Sequence, residues 1–486
     1  MLDIAIIIIY FLGMIAIGIR AYRKKAAATC NGYFVADRRG SAVFIVGSLC
    51  ATIIGASVTV GMAGMGYVMG LTGAWWLLVG SVGLLILGFF FARTVRRFGL
   101  YTLPELVEKQ YNSKTVGLVA SILIVVTWLA IIAAQIIAAG KILSILMPNV
   151  DLSLVMVISA AVLTLYTFLG GQYSVIRTDL VQFIIIVIGT LVCLGLVLDR
   201  VGGFGGLHDS LPADYFSFPL SAKFGWLDLL SLLILVGATY VAGPDIYSRL
   251  FCARNEKVAK SSVLSAALIT IPFAFIIVLI GMGAMVLFPD IASQHPNLSS
   301  VQASELAFPT VIQDVLPIGV SGLVIAAMLA VLMSSADTCL ITTSTIVSAD
   351  IYKRVSPKAS ERKMLLVAKL GVIVIGALAL IVALKASGII STLKLAYTVF
   401  TSGVVLPVIA GFYKDKLKVN SIGAITAIIA GGGTALAVKQ LHITHLDLFG
   451  QRIGHAELLG FVVCAVLLFG VSWITRAFSR QQSQMS

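Results

Sequence analysis

Apolar residues recur along this chain in runs of about twenty, one after another from end to end. A run of that length crosses the hydrocarbon core of a bilayer as a helix. Inside the bilayer every backbone N–H and C=O has to be bonded within the segment, so such runs fold as helices. They fall near 2–19, 43–69, 72–92, 116–143, 152–169, 177–198, 225–247, 262–288, 317–349, 364–384, 391–412, 419–438 and 456–475, thirteen in all. Composition agrees, with 59% hydrophobic and 11% charged residues against about 25% charged in a soluble domain. The expectation is an all-α polytopic membrane protein, one transmembrane domain over residues 1–486.

A net charge of +13 invites a nucleic-acid reading, but the placement of the charges excludes it. Thirteen spans put the termini on opposite sides, so alternate loops can be tallied. One side collects 27 of the 34 basic residues, among them Arg20, Arg38, Arg39, Arg93, Arg96, Arg97, Arg249, Lys353 and Lys414. The other keeps only Lys141, Arg200, Lys223, Lys385, Lys394, Lys439 and Arg452. Basic residues accumulate in cytoplasmic loops, which places the N-terminus outside and the C-terminus inside. The first run has no basic residue before it and several after it, the pattern of an uncleaved span rather than a signal peptide. Six scattered cysteines without a CxxC pair indicate neither a disulfide frame nor a thiolate metal site. His442 and His445 lie in an outer loop and read as solvated. About ten polar residues follow the last run, so no appended domain is expected.

Helix breaks at membrane depth are tolerated only where they line a cavity, and transporters built on repeats place them in corresponding helices of two halves. The second span contains 50-CATIIGASVTVGMAGMGYVMG-70, and five spans later comes 236-VGATYVAGPDIYSRLF-251. Proline at 244 interrupts a helix there. The offset pairs residues 43–198 with 225–412 as two repeats, leaving 1–42 and 413–486 outside them. For the glycines of the second span taken alone, close helix packing is the plainer explanation.

A third feature is 334-SSADTCLITTST-345 within an apolar run. Ser334, Thr338, Thr342 and Thr345 share one helix face. Threonines in a membrane helix commonly bond back to the preceding turn, which accounts for Thr342 and Thr345. An ionised aspartate at mid-depth is different, because it costs about 2.5–3.5 kcal/mol or more. A cation, a proton or a buried donor has to offset Asp337. Hydroxyls, carbonyls and a carboxylate are hard oxygen ligands, so a small-cation site is expected on this helix.

The segment 170-GGQYSVIRTDLVQ-182 resembles the GG-x-x-x-V-x-x-TD-x-x-Q signature of the sodium:solute symporter family. Further matches to that family are 101-YTLPELVEKQY-111, Gln135-x-x-Ala-x-Gly140, 243-GPDIYSRLF-251 and 333-MSSADTCLITTSTIVSADIYK-353, covering essentially the whole chain. The resemblance implies a LeuT-like fold, a 5+5 inverted repeat with additional helices outside it. It implies a sodium site formed by the carbonyls of Ala51, Ile54 and Val331 and the hydroxyls of Ser334 and Ser335. It makes Asp179, Asp337 and Thr338 candidates for a second cation or a gate.

The implied activity is Na+-coupled symport of a small organic solute by alternating access, with Na+ as coupling ion and no other cofactor. Positions that line the pocket in sugar carriers correspond here to Ile53, Ser57, Val58, Trp76 and Leu77, too apolar to pair many hydroxyls. Thr52, Ser57, Trp76, Gln135, Tyr240, Thr401 and Ser402 are the candidates to face a solute. They suit a monocarboxylate, an amino acid or a small amine. H+ coupling through Asp337 or Asp179 stays open, as does a non-transporting membrane sensor. No nucleophile–base pair or phosphate loop sits at membrane depth, so an enzyme is not expected. The partners foreseen are solute, Na+ and the lipid of a cell (inner) membrane, with neither nucleic acid nor an obligate protein partner.

Overall fold

The structure is a computed structural model that describes residues 2–22, 29–147, 149–386, 388–441, 443, 445–448 and 451–485. Arg23, Lys24, Lys25 and His442 lie outside the described residues. Among the described residues ten stretches are helical, long and apolar enough to cross a membrane, and Leu2–Ile17, Ala42–Ile53 and Leu152–Phe168 are shorter apolar helices. Together they account for every expected span. One stretch, Ser57–Phe98, is 42 residues long and holds the end of the second span and all of the third.

We number the membrane helices α1 (Leu2–Tyr22), α2 (Ala42–Ile53, resuming at 57–69), α3 (75–98), α4 (Lys114–Leu143), α5 (152–170) and α6 (171–201). The second half contains α7 (Trp226–Ala242, resuming as Pro244–Cys252), α8 (Glu256–Leu287), α9 (Val320–Val355) and α10 (Glu361–Lys385). It ends with α11 (Ile389–Phe412), α12 (Ser421–Gln440) and α13 (Leu459–Met485). Among the described residues, one feature departs from an all-helical chain: His445–Leu448 and Gln451–Gly454 pair as an antiparallel hairpin between α12 and α13.

The breaks fall where glycine and proline foretold them. Regular helix in α2 stops at Ile54 (φ −78°, ψ 76°) and restarts through a π-helical turn at Ser57–Gly61. In α7 a π-helical turn at Leu233–Gly237 precedes extended backbone at Gly243 (φ −63°, ψ 125°), after which Pro244 begins a new helix. Proline is suited to that first position, where its missing N–H has no helical acceptor. The division of α5 from α6 is at Gly171, whose φ of 64° and ψ of 169° are open essentially to glycine alone.

Helix α9 is central. Its most apolar window is entirely buried, whereas that of α13 is 22% buried and faces lipid. α9 packs against α2, α4, α5, α6, α1 and α10. The inner-loop motif 101–111 forms a capped helix, Leu103–Tyr111, in which Thr102 accepts the Glu105 N–H and Glu105 accepts that of Tyr101. That reciprocal pairing satisfies two donors that a helix start leaves free. On the outer side Glu305, 1% exposed, accepts the Ile389 and Ile390 N–H groups at 2.9 and 3.0 Å. Lys141 Nζ reaches the same carboxylate at 2.6 Å, so one side chain ties the outer loop to the ends of α4 and α11.

Candidate cation and solute site

Where α2 stops, the Ala51 and Thr52 carbonyls meet α9. Ser334 Oγ donates to the Ala51 carbonyl at 2.9 Å and to that of Val331 at 3.0 Å. Ser335 Oγ donates to the Thr52 carbonyl at 2.8 Å. Both serines are buried. Gly55 permits this approach, since a Cβ there would sit 2.8 Å from Ser335 Oγ. The restart of α2 is fixed by Gln135 of α4, whose Oε1 accepts the Ala56 N–H at 3.0 Å. Of the implied sodium set, Ala51, Val331 and Ser334 converge and Ser335 turns to Thr52. Ile54 sits at the end of the first half of α2, its N–H bonded to the Cys50 carbonyl. The donors are all neutral oxygens from two helices, the chemistry a hard monovalent cation requires.

Beneath these serines lies a buried polar cluster. Arg249 Nη2 pairs with Asp179 Oδ2 at 3.0 Å, and both side chains are 0% exposed. Its Nη1 donates to Gln172 Oε1 at 2.7 Å, and Nη2 also bonds Thr338 and lies 3.4 Å from Thr52 Oγ1. Thr338 donates to the Ser334 carbonyl at 2.7 Å, and Ser48 donates to Asp179. The tally of basic residues put Arg249 among loop charges; it is instead at the heart of the protein. It is held there because the Asp179 carboxylate and several oxygens replace its water. The signature 170–182 thereby acquires a physical reading: Gly171 divides two helices, Gln172 and Asp179 receive Arg249, and Gln182 donates to the Tyr10 hydroxyl on α1 at 3.1 Å. Asp337 faces away from the serines: Thr167 of α5 donates to Oδ1, and Oδ2 has no hydrogen-bond partner among the described residues.

A central cavity of about 30 Å³ adjoins the break. Thr52, Ser57, Gln135 and Tyr240 line it together with Ser335, as do three side chains that the sequence did not mark as facing a solute: Trp128, Tyr397 and Asp245. Trp76 stands behind Tyr397, with ring centroids 6.3 Å apart. Thr401 and Ser402 are not in the cavity wall: Thr401 bonds Thr239 and the Leu235 carbonyl, each at 2.8 Å, and Ser402 packs against Gly431 of α12.

The model of the sodium:solute symporter family matches residues 33–431. The chain belongs to that family. Curated relatives include sodium/glucose cotransporter 4 of Danio rerio, 29% identical over 408 residues, which are 78% of this chain and 62% of that one. Sodium/myo-inositol cotransporter 2 of Mus musculus is 29% identical over 398 residues, 76% of this chain and 59% of that one. The match thus spans about 60% of the length of these relatives. A Na+-coupled sialic acid symporter, solved substrate-bound and outward-open, superposes with a TM-score of 0.78 at 19% identity, covering 98% of both chains. A nucleobase-cation-symport-1 family transporter with bromovinylhydantoin bound gives 0.62 at 14% identity, over 93% of this chain and 95% of that one. The architecture is the LeuT-like fold in a multi-pass membrane protein.

Proposed function

We propose that this family member is a secondary active transporter that carries a small organic solute together with Na+ by alternating access. The observation that carries the reading is the meeting of Ser334 with the Ala51 and Val331 carbonyls. One ion held there joins the broken helix of the first repeat to α9 of the second. It therefore favours the arrangement in which these elements approach, and that arrangement also closes the solute cavity, since Ser335 borders both. Coupling of this kind is reciprocal, each ligand tightening the other. The relatives named for sodium-coupled glucose and myo-inositol transport support the same reading. The membrane is the cell membrane, with the basic loops in the cytoplasm.

Thermal unfolding of the detergent-purified protein in NaCl against KCl at equal ionic strength tests this. A ligand bound to the folded state alone stabilises it by about 1.4 kcal/mol at ten times Kd. A sodium-specific rise in the wild type, lost in Ser334→Ala, is expected. Equal midpoints in the two salts would refute it. The unpartnered Asp337 Oδ2 favours protons as the second reading, and a midpoint that follows pH through Asp337 while ignoring sodium would support that one.

A further inference from the structure

Asp245 brings a carboxylate into the wall of the central cavity. It stands at the second position of Pro244–Cys252, directly after the break at Gly243. Among the described residues no lysine or arginine forms an ion pair with it. The guanidinium one turn further on, Arg249, is already engaged by Asp179, Gln172 and Thr338. The start of its own helix favours a negative charge at Asp245, but that partial charge does not replace a counter-ion for a carboxylate removed from bulk water.

The surroundings match one kind of counter-charge. Trp128, Tyr240 and Tyr397 share the cavity with Asp245, and aromatic faces attract cations. A carboxylate solute would meet Asp245 with no free cation beside it. A polyol would leave Asp245 uncompensated and find Gln135 Oε1 already accepting the Ala56 N–H. We propose that the solute carries a cationic nitrogen, an ammonium or methylated ammonium, which pairs with Asp245 among the rings of Trp128, Tyr240 and Tyr397. This rests on the symport reading and narrows its solute class. A cavity of about 30 Å³ has room for only a water or two, so the cation enters as the helices part.

The test uses the full-length protein in NaCl and in KCl with matched probes: choline against its uncharged isostere 3,3-dimethyl-1-butanol, and isobutylamine against isobutanol and isobutyrate. D-glucose and myo-inositol complete the panel. The expected result is stabilisation by at least one of the two cations, greater in NaCl, with its neutral isostere at least tenfold weaker. Asp245→Asn keeps the size and shape of the side chain while removing the charge. It should raise the half-saturating cation concentration tenfold or more and leave the sodium shift in place, which also shows that the variant is folded. A neutral or anionic probe that stabilises as well as its cationic partner overturns the proposal, in the wild type alone and without recourse to the variant. So does a sodium shift with no response to either cation. Loss of the sodium shift in the wild type is a different result: it removes the symport reading on which the proposal stands.

Discussion

Neutralising either member of the Asp179–Arg249 pair should destabilise the protein strongly, and neutralising both should cost far less than the sum. At 3.0 Å the gross attraction is about 5–6 kcal/mol at an effective dielectric of 20, and it offsets the loss of water around two fully buried charges. Arg249→Met strands the Asp179 carboxylate with Ser48 as its remaining donor. Asp179→Asn leaves the guanidinium with Gln172 and hydroxyls. Breaking a buried pair from one side costs about 3–5 kcal/mol, because an uncompensated charge stays inside. The double variant leaves no uncompensated charge of this pair and loses only neutral hydrogen bonds to Gln172, Thr338 and Ser48, about 1 kcal/mol each. The sum of the singles is then about 6–10 kcal/mol and the double about 2–4 kcal/mol. Unfolding midpoints in mixed detergent micelles, taken around the full cycle, measure the coupling. A double variant within about 0.5 kcal/mol of the summed singles would refute the pairing and the account of the family signature built on it.

Lys141 and Glu305 should respond unequally. Lys141→Met leaves a carboxylate that is 1% exposed, whereas Glu305→Gln frees a lysine that is 12% exposed and able to swing its ammonium outward. The lysine variant should therefore lose about 2–3 kcal/mol and the glutamate variant about 1–2 kcal/mol, in the same micelle assay; the reverse order would contradict the packing. Cys30, in the inner loop, has its thiol pushed up to about 11 by burial, with Glu361 adding to the effect. At pH 8 only about one such thiol in a thousand is ionised, so in a variant retaining this cysteine alone, maleimide labelling should run roughly 200-fold slower than for a free thiol. It should speed up on unfolding, and rapid labelling of the native protein would contradict the burial.

Much of the architecture was legible because the bilayer allows so few solutions. Apolar runs had to be helices, and the breaks announced themselves by Gly243-Pro244 and by the glycines around Gly55. The serines of α9 were legible as a polar stripe where lipid alone would not tolerate one. Arg249 was not, since a basic residue near a span end looks like a loop charge until its partner, 70 positions earlier, is brought beside it. Asp245 was noticed only as part of a helix break, because a one-dimensional pattern does not tell which face meets a cavity. Thr401 shows the converse: a hydroxyl at membrane depth whose partners, Thr239 and the Leu235 carbonyl, are simply the neighbouring helix, while Ser402 beside it packs against Gly431. Trp128 and Tyr397 resembled any core aromatics, and their neighbourhood with Asp245 is a product of three helices, α4, α7 and α11, converging.

The hydroxyl of Ser334 has a consequence for the return half of a transport cycle. In the proposed alternating-access cycle the emptied carrier has to reorient without its ion, and bare carbonyls at mid-depth would oppose that step by several kcal/mol. A hydroxyl would serve in both directions, since its lone pairs can face the proposed ion and its proton, on rotation, satisfies the Ala51 or Val331 oxygen. A carboxylate in the same place would grip the ion more firmly but lacks a proton to offer afterwards. On the proposed reading, serine would make the site reusable.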